Sequence, residues 1–220
     1  MAFLNVVDLS GVEPVGRGTY RDVYIHPDDT NLVLKVLRHD STIKQGRWMR
    51  NFLKSRSLRQ RYRFLYREYL CYLDLKIQQE AKGGVLPIAE IFGLQQTTKG
   101  LGMLSKRAVG KDKGPAMSLG RLQADDSVSA DILLLLNKFI SEIFRWGFVV
   151  NDTNPENVML DFSEKIPRFI LVDGFGDSNF IPISSWLDSQ RINKLNRRFS
   201  DMAAFLGMTW DSDNRKILYA

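Results

Sequence analysis

Residues 151–177 read NDTNPENVMLDFSEKIPRFILVDGFGD and carry the most specific pattern in the chain. A polar loop comes first, in which Asp152 and Asn157 have the spacing D-x-x-x-x-N. Two short apolar segments joined by a turn follow, and the second ends at Asp173, which a glycine follows. The pattern predicts a loop, a short hairpin and an acidic residue at the end of a strand.

Three side chains of this stretch suit phosphoryl transfer, which needs an aligned nucleophile and a metal ion. Asp152 is suited to orient an acceptor hydroxyl and to take its proton. The amide oxygen of Asn157 and the carboxylate of Asp173 suit Mg²⁺ or Mn²⁺. Taken singly, each residue is equally well explained as a turn-forming residue.

Residues 16–23 (GRGTYRDV) lie between strand-like segments and suit a phosphate-binding turn. Gly16 and Gly18 let backbone amides approach a polyphosphate. In glycine-rich phosphate-binding loops a third glycine is common at the position of Arg21, and the arginine adds a cation there. Val23 is the last of the predicted nucleotide-binding residues in this turn. The alternative is that two glycines in a hairpin form a turn and nothing more.

Lys35 and Glu68 are the next candidates. Lys35 interrupts the apolar run Leu32–Leu37, where a buried ammonium without a partner is unfavourable. Glu68 is one of few acids in a helical segment and shares a face with apolar residues. We predict that Lys35 pairs with Glu68 and holds a nucleotide phosphate. The alternatives are a solvent-facing lysine and a solvated glutamate among arginines.

In chain order, the glycine turn, the strand lysine, the helix glutamate, the D-x-x-x-x-N loop and the strand-end Asp-Gly match the protein-kinase signature set. The predicted fold class is α+β: a two-lobed protein-kinase-like fold with a reduced helical second lobe. Residues 1–108 form the strand-rich first lobe with a long basic helix, and residues 109–220 form the second lobe, with a linker at 109–120. The predicted ligand site is the cleft between the lobes.

Apolar spacing and turn residues give the element predictions. The predicted strands are Val12–Val15, Asp22–Ile25, Leu32–Leu37, Pro87–Gln96, Leu101–Lys106, Phe148–Val150, Val158–Leu160 and Phe169–Val172. The predicted helices are one within residues 41–80 that ends at Gly83-Gly84, Ser129–Trp146, and about Ser184–Phe205.

Composition narrows the class of protein. With 220 residues, 44% of them hydrophobic, the chain is long enough for one domain or a coupled pair of lobes. Its single cysteine, Cys71, excludes an internal disulfide and favours the cytoplasm, and we predict it to be a buried small hydrophobe. No basic region precedes the apolar N-terminal residues, and the run Ile132–Leu136 is too short to span a membrane, so we expect neither a signal peptide nor a span.

The net charge of +6 is unevenly distributed. Residues 38–67 contain ten Lys or Arg against one Asp, with aromatic residues interleaved. Such a segment could bind an anionic membrane surface, a lipopolysaccharide-like phosphate or nucleic acid. The alternative is a solvated helix face, and no nucleic-acid-binding motif accompanies the charge, so nucleic acid is not an expected partner.

The sequence resembles the bacterial YrbL family (PhoP regulatory network protein) of kinase-like proteins over roughly residues 11–200. The segments that carry the resemblance are Gly16-Arg17-Gly18, Arg21, Val23-Tyr24, His26-Pro27-Asp28-Asp29, Leu34-Lys35-Val36, Arg67-Glu68, Pro155-Glu156-Asn157-Val158, Val172-Asp173-Gly174-Phe175-Gly176-Asp177 and Ile181-Pro182-Ile183-Ser184-Ser185-Trp186. The resemblance implies a cytosolic bacterial protein with a reduced second lobe. It leaves activity and substrate undefined.

Several positions depart from the kinase pattern. Val150-Asn151 replaces the usual His-Arg before the catalytic Asp, and Asn154 stands where a lysine is frequent. No Ala-Pro-Glu segment follows Asp173, so the platform for docking peptides is missing from the pattern. These departures favour a small molecule, a saccharide or a lipid headgroup as acceptor over a protein.

Two main functions therefore stay open at this point. The first is an atypical kinase-like phosphotransferase that uses ATP and Mg²⁺ (or Mn²⁺), with Lys35 and Asp152 as its catalytic residues. The second is a pseudokinase that acts as a nucleotide-binding regulator or a partner-binding protein. A third is binding of an anionic surface or nucleic acid through residues 38–67.

Overall fold

The computed structural model describes residues 6–18, 20–38, 62–148, 150–151, 153–176 and 184–219, and only the backbone of residues 184–188. The fold class is α+β, as the sequence predicts. The chain divides into two compact units. The first unit is Met1–Tyr69 with Glu90–Arg107, and the second is Leu70–Ala89 with Ala108–Ala220.

The first unit is built on a five-stranded antiparallel sheet with the strand order β1-β2-β3-β5-β4. Its strands are β1 (Gly16–Arg17), β2 (Arg21–Ile25), β3 (Leu32–Leu37), β4 (Ile91–Thr97) and β5 (Gly100–Lys106). A glycine lies in or directly after the turn of each hairpin, β1–β2 and β4–β5. The sequence predicts both turns, because glycine interrupts regular secondary structure.

Strand β3 lies in the middle of this sheet and is buried on both faces. Leu34 and Val36 point to one face, where they join a cluster with Tyr24. Val33 and Lys35 point to the opposite face, because successive side chains alternate along a strand, and both are buried there. A lysine in such a place needs polar partners inside the protein.

Helix α1 (Arg63–Lys82) begins in the first unit and continues into the second. It ends at Gly83, which has φ +63° and donates its backbone N–H to the carbonyl of Gln79 at 2.9 Å. Glycine adopts this left-handed conformation without steric penalty, so the predicted end of the helix is confirmed.

One face of α1 is buried and the rest is exposed. The buried residues are Leu65, Glu68, Tyr72 and Leu75. The sequence places Phe64 on the same face as Glu68, and its helical spacing also includes Leu73 and Ile77, but all three residues are exposed. Neighbouring residues on a helix point about 100° apart, so Phe64 and Leu73 turn away from the buried stripe of Leu65 and Tyr72.

The second unit combines helices with two small sheets. Its helices are α2 (Leu119–Ala124), α3 (Ala130–Trp146) and α4 (Ser184–Phe205). Its strands are β6 (Met117–Ser118), β7 (Val158–Asp161), β8 (Arg168–Leu171), β9 (Thr209–Asp211) and β10 (Lys216–Leu218). The strands β6-β7-β8 form one antiparallel sheet, and β9 and β10 form a hairpin.

Helix α3 has the clearest end signals in the chain. The hydroxyl of Ser129 accepts a hydrogen bond from the backbone N–H of Ile132 at 3.4 Å, which caps the first turn. Gly147, with φ +64°, ends the helix, and its N–H donates to the carbonyl of Ile143. The apolar stripe of α3 faces the core, and its buried members are Leu133, Leu136, Phe139, Ile140, Ile143 and Trp146.

The hairpin β9–β10 is held by helix α3. The amide of Asn137 donates to the carbonyl of Ile217 at 2.9 Å and accepts from the backbone N–H of Ile217 at 2.8 Å. In the turn of the hairpin, hydrogen bonds from the backbone and side chain of Asn214 hold the pKa of the Asp211 carboxyl below its usual value. The sequence does not predict this hairpin, because an alternation of polar and apolar residues is too short to detect in three-residue strands.

Other element predictions need correction. Val12–Val15 is not a strand, although Val15 donates its N–H to the carbonyl of Val23. Strand β4 begins at Ile91 and not at Pro87. The predicted linker 109–120 contains β6 and the start of α2.

One predicted strand and the predicted burial of Cys71 also differ from the structure. The predicted strand Phe148–Val150 is represented in its described part by an isolated antiparallel bridge between Val150 and Phe175. Cys71 is half-buried, not buried. Within the described ranges, no helix is both long and apolar enough to cross a membrane.

Candidate functional site

The core of the candidate site in the first unit is an ion pair between Lys35 and Glu68. Lys35 lies on β3, and Glu68 lies on the buried face of α1. The ammonium Nζ is 3.0 Å from Oε1 of Glu68, and the two residues are only 5% and 2% exposed. The predicted pairing is therefore present, and it satisfies a lysine that the sheet has removed from water.

Arg21 is a second cation on the same glutamate. Its Nη1 donates to Oε2 of Glu68 at 2.5 Å, and Arg21 itself is 8% exposed. Each carboxylate oxygen of Glu68 thus accepts from a different cation, which is the charge-assisted arrangement that gives strong hydrogen bonds. Sequence reasoning assigned Arg21 to the nucleotide phosphates. The structure places its guanidinium on Glu68, and binding of a phosphate by Arg21 stays a prediction.

The glycine turn between β1 and β2 is tightly closed. Gly16 pairs with Val23, and the N–H of Gly18 donates to the carbonyl of Arg21 at 2.8 Å. A Cβ added at Gly18 would lie 3.2 Å from that same carbonyl oxygen, which is a tight contact and favours glycine at this position. The approach of this turn to a polyphosphate stays a prediction.

Arg38, the residue that follows β3, supports the turn from the other side. Its Nη1 donates to the carbonyl of Gly18 at 3.1 Å, and its Nε lies 3.4 Å from a carboxylate oxygen of Asp22. Arg38 is also the first residue of the basic segment 38–67. Residues 39–61 of that segment lie outside the described residues.

An exposed pair of aromatic rings joins the glycine turn to helix α1. Tyr20 stacks on Phe64 with 5.3 Å between the ring centroids and 16° between the planes. The two residues are 43% and 40% exposed. The turn and the helix are therefore connected twice, by a buried ion pair at Glu68 and by this stack at the surface.

In the second unit, Asn157 and Asp173 lie at the same end of the β7–β8 pair. Val158 at the start of β7 is opposite Leu171 at the end of β8, and the N–H of Val172 donates to the carbonyl of Asn157 at 2.9 Å. One carboxylate oxygen of Asp173 accepts the N–H of Gly174 at 2.6 Å. The structure thus brings the two predicted metal ligands to one edge of the hairpin.

These two ligands suit magnesium in number and in kind. Mg²⁺ is commonly held by one or two carboxylates together with waters and substrate phosphates, and it does not require an all-protein cage. The described part of the chain has no group of three or more His, Cys, Asp or Glu that could enclose a metal ion. The oxygen donors of Asn157 and Asp173 therefore fit the predicted cofactor.

The described residues Asn154 and Glu156 of the 151–157 loop make local hydrogen bonds. Asn154 caps a single 3₁₀ turn, Pro155–Asn157, by accepting the N–H of Glu156 at 3.1 Å. Glu156 in turn accepts from the hydroxyl of Ser118 at 2.6 Å. Asp152 lies outside the described residues, so its predicted role as the residue that orients the acceptor stays a prediction.

Asn151 is held from two directions. Its backbone N–H donates to the carbonyl of Gly174 at 2.8 Å, and its side-chain Nδ2 donates to the carbonyl of Gly176. From helix α4, Lys194 donates to its Oδ1 at 2.9 Å and Arg198 donates to its carbonyl at 2.7 Å. Sequence reasoning missed Lys194 and Arg198; their spacing of four residues predicts a shared helix face, but not which loop that face meets.

A strand lysine paired with a helix glutamate is the arrangement by which protein kinases position nucleotide phosphates. Together with the glycine turn and the strand-end aspartate, it makes this chain a protein-kinase-like protein. The chain belongs to the family described as PhoP regulatory network protein YrbL, whose model matches residues 7–207. The resemblance seen in the sequence is thereby confirmed.

Two relatives carry the name of this family. Protein YrbL of Escherichia coli K12 and that of Shigella flexneri are each 24% identical to the chain over 190 residues, which cover 82% of this chain and 79% of each relative. Among solved structures, a double mutant of the PknI kinase domain of Mycobacterium tuberculosis has 17% identity and a TM-score of 0.38, covering 74% of this chain and 58% of that one. Rad53 in complex with AMP-PNP has 14% identity and a TM-score of 0.42, covering 74% and 36%. The chain thus spans less than two thirds of either solved chain.

Proposed function

We propose that this protein is an atypical kinase-like phosphotransferase that binds ATP and Mg²⁺ (or Mn²⁺). The buried pair of Lys35 and Glu68, with 3.0 Å between Nζ and Oε1, is the observation that carries the proposal. A protein does not need an ionised lysine inside a sheet for stability alone, because a buried ion pair is often replaceable by apolar residues without loss. A buried lysine held by a glutamate beside a glycine turn is, by contrast, what a phosphate-binding site requires.

In this proposal the residues have separate tasks. Lys35 contacts the phosphates and is oriented by Glu68, while Gly16, Gly18 and Val23 provide the turn and the apolar contact for the nucleotide. Asn157 and Asp173 hold the metal ion, which supplies charge neutralisation at the transferred phosphate. Asp152 orients the acceptor hydroxyl and receives its proton.

The acceptor is proposed to be a small molecule, a saccharide or a lipid headgroup. The absence of an Ala-Pro-Glu segment after Asp173 in the sequence removes the peptide-docking platform of the usual kinase pattern. The cytoplasm is the proposed compartment, since a chain with a single cysteine suits a reducing environment. Binding of an anionic surface by residues 38–67 is a separate proposal that the described residues do not address.

The experiment is a thermal-shift titration with ATP, with and without Mg²⁺. A ligand that binds the native state raises the melting temperature by mass action. We expect a rise that depends on Mg²⁺ in the wild type, loss of the whole rise in Lys35→Met, and loss of its Mg²⁺-dependent part in Asp173→Asn. Lys138→Met and Asp201→Asn are matched controls, because both residues are exposed in the second unit.

The melting temperatures show whether the protein binds ATP. A wild type whose melting temperature does not respond to ATP in either condition would reject the proposal. An equal loss in the control variants would show that the effect on melting is unspecific.

The alternative function is a pseudokinase that binds a nucleotide without turnover. The observation that favours it is the replacement of the arginine before the catalytic position by Asn151, whose polar groups are all engaged in structural hydrogen bonds. Asp152→Asn distinguishes the two functions. If the protein is a phosphotransferase, Asp152→Asn abolishes phosphate transfer and Mg²⁺-dependent ATP hydrolysis. If it is a pseudokinase, its cellular effect survives Asp152→Asn and is lost in Lys35→Ala.

A further inference from the structure

Helix α4 contributes two cations to the loop that contains Asp152. Lys194 and Arg198 lie four residues apart on α4 and are both half-buried. Each donates to Asn151, the residue directly before Asp152 in the chain, at 2.9 Å and 2.7 Å respectively. Leu195 and Phe199, their neighbours on the helix, are buried in the core and fix the orientation of α4.

Asn151 also contacts the turn after Asp173. Its N–H and its side-chain amide donate to the carbonyls of Gly174 and Gly176. Both glycines have positive φ, +83° and +99°, so the two carbonyls are presented by a backbone conformation that other residues rarely adopt. Asn151 therefore connects three segments: the loop of Asp152, the turn of Asp173 and helix α4.

We propose that Lys194 and Arg198 are positioning residues, which hold the 151–157 loop and the 173–176 turn in register through Asn151. In protein kinases an arginine within the loop itself precedes the catalytic aspartate, and here asparagine occupies that position. The two cations, Lys194 and Arg198, lie on helix α4, 43 and 47 residues after Asn151 in the chain. Hydrogen bonds from ammonium and guanidinium groups to amide oxygens are charge-assisted, which makes them stronger than neutral ones.

In this arrangement α4 acts on the geometry of the site through its contacts with Asn151. Its effect on the reaction rests on the proposed function, since a misplaced loop matters for turnover only if the protein transfers phosphate. A displacement of about 1 Å in a reacting group is able to lower a rate by about 100-fold. Phosphate binding by Lys35 belongs to the other compact unit and should be unaffected.

The test uses the full chain with Lys194→Met and Arg198→Met, and Arg197→Met as the matched control. Arg197 lies on the same helix, carries the same charge and is exposed. The first measurement is hydrogen exchange of peptides that cover residues 150–158 and 171–176, with a peptide of helix α3 as internal reference. We expect exchange about 10-fold or more faster in the two site peptides of Lys194→Met and Arg198→Met, unchanged exchange in α3, and no change in Arg197→Met.

The second measurement is Mg²⁺-dependent ATP hydrolysis, with water as acceptor. We expect kcat to fall about 10- to 100-fold in Lys194→Met and Arg198→Met, while ATP binding in the absence of Mg²⁺ stays unchanged. Arg198→Lys, which keeps a cationic donor, should recover part of both the exchange protection and kcat. A general loss of stability would move α3 exchange as well and would not be rescued in this way.

The outcomes are separable from those of the proposed function. Wild-type exchange in both site peptides of Lys194→Met and Arg198→Met overturns the inference, whatever the activity. Faster exchange in a protein whose wild type neither binds nor hydrolyses ATP keeps the positioning role of α4 and rejects the phosphotransferase. Faster exchange with an unchanged kcat overturns the claim that the positioning serves turnover.

Discussion

The guanidinium of Arg21 and the carboxylate of Glu68, 47 residues apart in the chain, form a buried ion pair with 2.5 Å between Nη1 and Oε2. The second oxygen of Glu68 holds Lys35. One glutamate of helix α1 is thus fastened to β2 and to β3 at once. Movement of this helix away from the sheet would leave two buried cations without their carboxylate, which low-dielectric surroundings make unfavourable.

We expect Arg21→Met to destabilise the protein by about 2 kcal/mol, because it removes a buried hydrogen bond to a charged group. The shift of the urea unfolding midpoint measures this effect. Arg17→Met is the matched control, because Arg17 lies four residues before Arg21, its ion pair with Glu13 is exposed on both sides, and such pairs contribute little. Equal destabilisation by both variants would contradict the importance of burial.

A double-mutant cycle between Arg21→Met and Glu68→Gln tests whether the two side chains act together. We expect the loss caused by Arg21→Met to shrink in the Glu68→Gln background, with a coupling of roughly 1 to 3 kcal/mol. Simple additivity of the two losses would show that Arg21 stabilises the turn in some way other than through Glu68.

The side chain of Asn137 occupies the place beside β10 where a neighbouring strand would pair with the hairpin β9–β10. Its side-chain amide makes both hydrogen bonds of the buried residue Ile217, which a neighbouring strand would otherwise make. We expect Asn137→Ala to cost about 2 kcal/mol or more, because it leaves a buried N–H and a buried carbonyl unpaired. Leu134→Ala on the same helix is the control, since Leu134 is 70% exposed.

The measurement is equilibrium unfolding in urea together with hydrogen exchange at the N–H of Ile217. Exchange at this amide should accelerate strongly in Asn137→Ala and stay unchanged in Leu134→Ala. A protected Ile217 amide in Asn137→Ala would mean that the hairpin is held by packing alone.

Gly147 and Gly207 make a matched pair for a test of steric contact. Both have positive φ, +64° and +68°, so alanine at either position carries the same backbone strain of about 1 kcal/mol. A Cβ at Gly147 would lie 3.1 Å from Cζ of Arg191, whereas a Cβ at Gly207 would meet nothing within 4 Å. We therefore expect Gly147→Ala to be the more destabilising variant.

The difference between the melting temperatures of the two variants measures the cost of displacing the side chain of Arg191. This side chain projects from α4 to the end of α3. Identical melting temperatures would show that Arg191 moves aside at no cost. A larger loss in Gly147→Ala would show that the α3–α4 contact at this point is rigid.

The sequence predicted those parts of the site that depend on residue type and local spacing. Lys35 was identifiable because a charged residue interrupts an apolar strand, and Glu68 because a carboxylate shares a helix face with apolar residues. Asn157 was identifiable from its D-x-x-x-x-N spacing to Asp152, and Asp173 because an acid followed by glycine ends an apolar strand. In each case the physical cause, burial or strand geometry, leaves a pattern in neighbouring residues.

The tertiary structure alone decided which distant side chains support that site. The sequence does not predict that Arg21 lies against Glu68, and it gives no sign of a link from Lys194 and Arg198 to Asn151. The bonds of Asn137 to Ile217 and of Arg198 to Asn151 end on backbone atoms, which every residue type provides. A contact of that kind imposes no residue type on its acceptor, so it becomes visible only when the folded chain brings donor and acceptor together.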